Sequence, residues 1–455
     1  MNQSNSSHLP ARSRVNRRAF LRLSSTLAAG TAIVPAGVLG RGAQSPNNRL
    51  NIACIGVGGR GQASVNGVSR ENIVALCDVD VGRAAKTRER FPRARFFQDF
   101  RRMFDALEGE IDAVTVATPD HTHAPVAMAA IRRGRHVYCE KPLAHSMQEV
   151  RTLTEAARAH NVRTQLGNQG HSTNSIREFV EMVRAGAIGT VTEVHAFVSS
   201  NYCPPSRVRP TATPPVPEGL DWDLWLGPAA PRPYHPLYHP GKWRGWWAFG
   251  TGVTGDWTCH VLDPIYWALD LGAPTRVVAF PDDYTDPQVR AETCPPSTLI
   301  RYEFPAKGDR PGVVVNWYEG NRPVPRPAAL EPDRKLPGIG ALIVGTEGTI
   351  LHGSHGAAGA QLLPAARWQD YRLPAPSIPR SRGHHEDWLL ACKGGEPASS
   401  SFDYGGPLTE VAMLGVIAQR FPGQPLEWDA PRLRIPNHAG AEALLRPSWR
   451  EGWTL

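Results

Sequence analysis

The chain has 455 residues, which is long enough for two domains with full hydrophobic cores. Its formal net charge of +8 comes largely from the first 49 residues, which hold seven arginines and no acidic side chain. The remaining residues carry 43 basic and 42 acidic side chains, a balance that excludes nucleic acid as a predicted partner.

Residues 1–45 are predicted to be an export signal. Arg17 and Arg18 match the twin-arginine pattern, and the apolar run 23–39 behind them is too short and too diluted for stable membrane insertion. A disordered basic tail is the alternative. The seven cysteines form no C-x-x-C pair, as suits a protein that folds in a reducing cytosol before export. We expect the twin-arginine export machinery as a partner and a periplasmic or extracellular location.

Short apolar strands alternate with helices over the next 120 residues or so. Strands are predicted at 50–57, 72–79, 94–98, 113–117, 135–139 and 163–166. Near-continuous apolar strands joined by helices indicate an α/β fold with a doubly wound parallel sheet of the Rossmann type. We place this domain at 46–168.

The rest of the chain, 169–455, has a different pattern. A segment at 203–249 is irregular and rich in Pro, Trp, Tyr and His. Further strands are predicted at 191–199, 276–280, 298–304, 313–318 and 341–344, and helices at 176–185, 386–393 and 408–420. With little helix between its strands, this second α/β domain is expected to contain an open, mostly antiparallel sheet.

A glycine-rich turn follows the first strand and opens a helix. Its G-x-G-x-x-G spacing allows a tight turn, a close approach of backbone to pyrophosphate, and close helix packing. Asp78 ends the second strand about twenty residues later, where a carboxylate accepts hydrogen bonds from ribose hydroxyls. The predicted cofactor residues are Gly56, Gly58, Gly59, Arg60, Gly61 and Asp78. Asp78 favours NAD, and Arg83 nearby keeps NADP as an alternative.

Two further loops follow the fourth and fifth strands, where parallel strands line a cofactor crevice. Thr118, Pro119 and His123 are predicted to border the cofactor. His121 and His123 could also be metal ligands, but no third ligand lies nearby and no metal is predicted.

Glu140 and Lys141 are predicted to contact the cofactor at the end of the fifth strand. Lys141 is one of only six lysines in an arginine-rich chain, and a lysine, unlike an arginine, can give up its proton when buried. Its ammonium could steady a substrate hydroxyl, so we predict a catalytic role. A surface lysine beside a turn is the alternative.

Asp256 and His260 lie four residues apart after a glycine-rich turn, so they share one face of a predicted helix. An imidazole one turn beyond a carboxylate can act as a base. A capping aspartate with an unrelated histidine is the alternative.

The Glu140-Lys141-Pro142 motif, followed by the spacing G-x-G-x-x-x-D-x-x-x-H-x-x-D, resembles the Gfo/Idh/MocA oxidoreductase family. Stretches 165–171 and 219–228 resemble its exported, twin-arginine branch. The resemblance implies hydride transfer at a sugar or cyclitol carbinol and a homo-oligomer, dimer or tetramer, built on the open sheet. It gives Lys141, Asp256 and His260 the catalytic roles, and Pro142 a position that is often cis.

Candidate substrate contacts are Asn168, His171, Trp257, His260 and His385. The tryptophans of the irregular segment could face a sugar ring, but most are expected to anchor that segment by packing.

Two enzymatic hypotheses result. In the first, His260, oriented by Asp256, takes the hydroxyl proton while Lys141 steadies the oxygen and hydride passes to a tightly bound NAD. In the second, transient oxidation is followed by elimination and re-reduction, as in NAD-dependent glycosidases. The intact Lys141 favours the first. A non-catalytic sugar-binding protein is a third alternative that the complete motifs argue against.

Overall fold

Six parallel strands form the first sheet in a computed structural model that describes residues 48–455. The strands are β1 (Asn51–Ile55), β2 (Asn72–Cys77), β3 (Arg95–Phe97), β4 (Ala113–Val116), β5 (His136–Cys139) and β6 (Thr164–Leu166), in the order β3-β2-β1-β4-β5-β6. The helices between them are α1 (Gly61–Gly67), α2 (Val81–Arg90), α3 (Phe100–Ala106), α4 (Asp120–Ile131) and α5 (Met147–Ala159). The order reverses between β1 and β4, which opens a crevice at their carboxyl ends. The predicted Rossmann sheet is confirmed.

The second sheet has eight strands. They are β7 (Val191–Val198), β8 (Arg276–Pro281), β9 (Thr298–Phe304), β10 (Val313–Glu319), β11 (Ile339–Gly345), β12 (Gly348–Gly353), β13 (Gln361–Leu363) and β14 (Leu426–Glu427). Their order is β13-β12-β11-β7-β10-β9-β8-β14, and only β7 and β10 pair in parallel among the described residues. The predicted, mostly antiparallel sheet is confirmed, although β12, β13 and β14 were not predicted because they are short or bounded by glycines.

Nine further α-helices follow β6 in the described part of the chain, and some of them contact the second sheet. They are α6 (Asn174–Arg184), α7 (Trp222–Leu226), α8 (Gly252–Val261), α9 (Asp263–Leu269), α10 (Pro287–Glu292), α11 (Ala365–Asp370), α12 (His384–Cys392), α13 (Phe402–Gln419) and α14 (Ala439–Ala443). Helix α13 lies between the sheets, in contact with α5 and β6 on one side and β8 and β9 on the other. It is therefore the central element of the fold.

Helix α13 begins six residues before its predicted start. The predicted start was too late because Gly405, Gly406 and Pro407 are poor helix formers. The glycines serve packing instead, since a Cβ on Gly405 would lie 2.8 Å from the Cβ of Leu166 and one on Gly406 2.6 Å from Thr154 Oγ1. Close contact between α13 and the first sheet therefore outweighs helix propensity.

Residues from the end of the chain complete the first sheet. The edge of β6 is covered where the Leu166 amide donates to the Ser400 carbonyl (2.8 Å) and the Phe402 amide donates to Thr164 Oγ1 (2.9 Å). Trp388 of α12 is fully buried in the same core as Ile52 of β1. Residues 50–455 accordingly form one compact unit, and the domain boundary at 168 stays a prediction.

The predicted export signal lies outside the described residues. Within 48–455 no helix is both long and apolar enough to span a bilayer. All seven cysteines are free thiols.

Replacing Trp388 with alanine should destabilise the whole unit, because it leaves a large cavity in the core shared by α12 and the first sheet. We expect the free energy of unfolding to fall by about 3–5 kcal/mol in urea denaturation. Leu373→Ala is the control, since Leu373 is 47% exposed and its loss should cost less than about 0.5 kcal/mol. Equal losses in the two variants would show that α12 adds nothing to this core.

Candidate active site

The glycine turn between β1 and α1 needs glycine at both ends. Gly56 has a φ of +77°, and a Cβ there would lie 2.6 Å from the carbonyl oxygen of Ala117. A Cβ on Gly61 would overlap the carbonyl oxygen of Gly56. The turn therefore packs directly against the end of β4, at the crevice where the strand order reverses.

Asp78 holds this turn from the end of β2. Its Oδ2 accepts hydrogen bonds from the amides of Val57 (2.9 Å) and Gly58 (3.0 Å), and its Oδ1 accepts one from the amide of Asp80 (3.0 Å). Burial raises the pKa of Asp78, and the amides oppose that rise. Because a carboxylate accepts about four hydrogen bonds, one more from a ribose hydroxyl fits.

Several polar groups around the turn lack protein partners. The amides of Gly59 and Arg60, at the start of α1, have no acceptor within residues 48–455. Thr118 Oγ1 and Glu140 Oε2 are buried without a hydrogen bond in the described chain. Unpaired amides at a helix start suit a pyrophosphate, and the two side chains suit the hydroxyl and amide groups of a dinucleotide. The residues present therefore fit NAD.

A cavity of about 710 Å³ joins the glycine turn to α8, a size typical of small-molecule sites. Most of the predicted site residues line it. They are Gly56, Gly58, Arg60, Asp78, Thr118, Pro119, His123, Glu140, Lys141, Asp256, Trp257 and His260. The predicted nucleotide and catalytic residues are thus brought to one cavity.

Lys141 and Asp256 form an ion pair across this cavity. Lys141 lies two residues after the last residue of β5, and its peptide bond to Pro142 is cis. Its Nζ contacts the Asp256 carboxylate and donates to the Asp256 carbonyl oxygen at 3.0 Å. Burial alone raises the pKa of Asp256, but Lys141 and Arg244 outweigh it and hold that pKa below its usual value. The carboxylate is therefore ionised at neutral pH.

Tyr202 is a third member of this cluster that the sequence did not single out. Its hydroxyl donates to Asp256 Oδ2 at 2.7 Å and accepts from Trp257 Nε1 at 3.0 Å. Burial raises the pKa of Tyr202, so the hydroxyl stays protonated. Tyr202 lies in the loop after β7, just before the irregular segment, where no motif marks it.

His260 follows Asp256 by one turn of α8 but does not bond to it. The Asp256 carboxylate is engaged by Lys141 and Tyr202, and no hydrogen bond joins it to His260 in the described chain. The expectation that Asp256 orients His260 therefore differs from the structure. Burial, together with Lys141, lowers the pKa of His260 well below its usual value, and its Nδ1 has no partner. A neutral imidazole of this kind can accept a proton.

The ring of His260 packs between two others. Its centroid lies 5.8 Å from that of Trp257 and 4.2 Å from that of His355. His355 lines the cavity from the turn after β12, far along the chain. Sequence reasoning missed it because no local pattern links that turn to α8.

His123 lines the cavity but has both ring nitrogens engaged by backbone. Nδ1 bonds to the Pro142 carbonyl and Nε2 to the Thr118 carbonyl, each at 2.8 Å. The ring ties the loops after β4 and β5 together. The structure thus gives His123 a positioning contact where a direct cofactor contact was predicted.

Three predicted substrate contacts interact with other side chains of the protein instead. Asn168 Nδ2 and His171 Nδ1 both bond to Asp263, at 3.1 and 2.9 Å, and all three residues are buried. His385 stacks on Tyr138 with centroids 4.6 Å apart. None of these three predicted residues lines the cavity.

The tryptophans of the irregular segment mostly pack against one another. Trp246 is fully buried, and Trp222 stacks on Trp225 with centroids 4.6 Å apart. Trp225 and Trp243 also reach the cavity. The segment is thus anchored by its aromatic rings while two of them form part of the wall.

The fold and the site together define a dinucleotide-binding protein that has a Rossmann sheet and a second, mostly antiparallel sheet. Residues 50–168 match the model of an oxidoreductase family with an NAD-binding Rossmann fold, and residues 161–288 match the C-terminal alpha/beta domain of that family. The two matches together span more than half of the chain. The protein belongs to the Gfo/Idh/MocA oxidoreductase family, and NAD as the predicted cofactor is confirmed.

Relatives with assigned names come from several bacteria. The chain is 32% identical to inositol 2-dehydrogenase 2 of Saccharopolyspora erythraea over 34% of its own length and 47% of that protein. It is 28% identical to a glycosyl hydrolase family 109 protein of the same species over 58% of its own length and 57% of that protein. Levoglucosan dehydrogenase of Pseudarthrobacter phenanthrenivorans is 32% identical over 40% of this chain and 38% of that protein. The chain thus spans about half the length of the first two.

Solved structures agree in fold. An aldose-aldose oxidoreductase from Caulobacter crescentus gives a TM-score of 0.55 at 17% identity, over 84% of this chain and 100% of that one. An inositol dehydrogenase homolog from Azotobacter vinelandii, solved with NADH and myo-inositol, gives 0.54 at 17% identity, over 84% and 98%.

A buried carboxyl group lies beneath the helix that carries Asp256 and His260. Glu319, only 3% exposed, accepts hydrogen bonds from Thr254 Oγ1 on α8 (2.7 Å) and from Trp317 Nε1 (3.1 Å). Burial raises its pKa to about 7, more than these donors lower it. Glu319 is therefore largely protonated in the folded protein at mildly acidic pH.

This pKa predicts a pH dependence of stability. Between 4.5, the ordinary pKa of a glutamate side chain, and about 7, folded Glu319 holds a proton that the unfolded chain has lost, so stability falls as pH rises through this window. Glu319→Gln should remove roughly 2–3 kcal/mol of that fall, measured as urea unfolding free energy at several pH values. Glu149 titrates similarly, so part of the slope remains. Glu218→Gln, at an exposed site, is the control and should leave the slope unchanged.

Proposed function

We propose that the protein is an NAD(P)-dependent oxidoreductase that transfers hydride between a sugar or cyclitol carbinol and the nicotinamide ring. The observation that carries this proposal is the position of the Lys141–Asp256 pair and His260 in the same cavity as the glycine turn. One cavity can therefore hold a dinucleotide and a small polyol side by side.

Each residue has a definite part in this reaction. When bound, NAD supplies the acceptor for the hydride. The Lys141 ammonium donates a hydrogen bond to the carbinol oxygen, and Asp256 holds that ammonium in place. Tyr202 fixes the second oxygen of Asp256. His260, which lines the cavity and is neutral, takes the hydroxyl proton.

The names of the relatives support the substrate class. Inositol is a cyclitol and levoglucosan a sugar derivative, and dehydrogenases named for both are similar to this chain. The aromatic faces of Trp243 and Trp257 in the cavity wall suit the C–H faces of such rings. Asp78 favours NAD, but Arg83 lies over the glycine turn, where a Cβ on Gly59 would be 2.7 Å from Arg83 Nη2. NADP is therefore retained as an alternative.

A second candidate is a glycosidase that works by transient oxidation, elimination and re-reduction. The similarity to the glycosyl hydrolase family 109 protein favours it, because that match covers more of the chain than those to the dehydrogenases named above. The intact Glu140-Lys141-Pro142 motif favours the oxidoreductase.

We also propose export by the twin-arginine route to the periplasm or beyond, with NAD bound tightly before transport, because no free nicotinamide pool is expected there. A homo-oligomer, dimer or tetramer, is proposed from the family resemblance. Phe280, 42% exposed on the face of β8 opposite the core residues Val277 and Ala279, is consistent with such a contact.

Removing the Lys141 ammonium should slow the reaction, because the carbinol oxygen loses its hydrogen-bond donor and Asp256 its counter-charge. We expect Lys141→Ala to lower kcat/KM for NADH formation from sugars and cyclitols by roughly 100- to 10,000-fold. The control is Lys307→Ala, which removes a surface lysine with a 53% exposed side chain and should leave the rate unchanged. Undiminished turnover by Lys141→Ala would remove this residue from the mechanism.

The same preparations distinguish the two enzymatic candidates. The purified wild-type protein is denatured and assayed for released NAD(H), and the native protein is incubated with sugars and with aryl glycosides. Net NADH formation supports the dehydrogenase, whereas cleaved glycoside without net NADH supports the glycosidase. If no nucleotide is released and none binds, both candidates fail.

Export depends on the paired guanidinium groups of the leader. We expect the double variant Arg17→Lys/Arg18→Lys to accumulate in the cytosol, as measured by cell fractionation in a bacterium with a twin-arginine pathway. Arg12→Lys/Arg14→Lys keeps the leader charge and the pair, so it should be exported normally. Equal export of both double variants would contradict the proposed route.

A further inference from the structure

Oxidation of a carbinol releases a proton inside the cavity, and that proton must reach solvent. His260, its proposed acceptor, is only 5% exposed and its Nδ1 has no partner in the described chain. The Asp256 carboxylate cannot take the proton from it, since Lys141 and Tyr202 occupy both oxygens. A further group is therefore needed between His260 and bulk water.

His355 is placed to be that group. Its side chain is exposed, and its ring centroid lies 4.2 Å from that of His260 with the planes at 39°. Nδ1 of His355 bonds to Ser354 Oγ, which leaves Nε2 to exchange a proton. At this separation a proton can pass between the rings through one water molecule or a small rotation.

The turn that carries His355 is held in a strained conformation. His355 has a φ of +36°, in the left-handed region that is costly for a residue with a side chain. The turn is pinned against Gly170, where a Cβ would lie 2.5 Å from the Gly356 amide, and the Gly356 carbonyl accepts from Ser175 Oγ at 2.7 Å. Such contacts hold the His355 ring beside His260.

Partial burial of the ring and the charges around it keep His355 neutral. Burial, Lys141 and Arg60 lower the pKa of His355, and Asp256 opposes them weakly. The pKa of the His260 imidazole is lowered in the same direction, so both rings start the reaction unprotonated. An accepted proton is therefore passed on readily instead of being stored.

We propose that His355 relays the proton of the oxidised carbinol from His260 to solvent. The inference rests on the proposed oxidoreductase function. The O–H bond breaks and its proton goes to His260, while the C–H bond breaks and its electron pair leaves as hydride to the nicotinamide, so that the carbon–oxygen double bond forms. Protonated His260 then passes its proton to His355, and His355 passes it to water or buffer.

The test separates proton release from hydride transfer. Protein loaded with NAD is mixed with myo-inositol, or with the sugar that reduces NAD fastest, in a stopped-flow instrument in weak buffer with a pH-indicator dye. NADH absorbance reports hydride transfer and the dye reports the released proton. In the wild type both signals should rise together. In His355→Asn, chosen because asparagine tolerates the left-handed conformation, proton release should lag by about tenfold or more, and added imidazole should restore it.

His160→Gln is the control, because His160 is an exposed histidine at the end of α5 that does not line the cavity. Its two signals should stay together. A rise in KM for His355→Asn with the two signals still together would overturn the relay and make His355 a substrate contact. If the wild type forms NADH and His355→Asn releases its proton as fast as the wild type does, the relay is overturned but the proposed function is not. No NADH from wild type with any sugar would overturn the proposed function and the relay with it.

Discussion

The ion pair between Lys141 and Asp256 is the interaction on which the site depends. It joins the end of β5 in the first sheet to α8 beside the second, so neither half alone has the catalytic geometry. Two side chains only 12% and 13% exposed are costly to desolvate as charges. The Asp256 carbonyl, the Tyr202 hydroxyl and the nearby Arg244 offset that cost, which explains why this corner of the cavity is so densely hydrogen-bonded.

Around this pair, the loops that carry reactive groups are bonded to one another through buried side chains. The imidazole of His123 holds the turns after β4 and β5 at a fixed separation. Thr251, just before α8, donates to Asp120 Oδ2 at 2.6 Å, and burial raises the pKa of Asp120 to about 6. A site built this way is preorganised, because the loops that carry its reactive groups are fixed to one another by hydrogen bonds.

The sequence predicts much of this arrangement, but only where local spacing carries the information. Gly56, Gly61 and Asp78 sit at fixed positions around a strand and a helix, so their meeting follows from the Rossmann connection alone. Asp256 and His260 share a helix face by their spacing. Lys141 is recognisable because lysine is rare in this chain and because it lies near the end of a predicted strand.

The remainder depends on tertiary packing that no local pattern records. His355 and Tyr202 reach the cavity from turns whose course is set by distant contacts. The resemblance predicted Asn168 and His171 as substrate contacts. Both side chains instead bond to the buried carboxylate of Asp263. The start of α13 was missed because Gly405 and Gly406 have low helix propensity. They are needed there because larger residues would collide with Leu166 and Thr154, which only the folded structure shows.

The covering of β6 by residues near 400 bears on how the protein is made. The ribosome releases the six strands of the first sheet well before it has synthesised α12 and α13, so the nascent sheet leaves the exit tunnel with one edge and part of its core open to water. That exposed surface is a natural place for a chaperone to hold the growing chain. The first sheet is consequently completed late, only when the segment from His384 onward has docked on it.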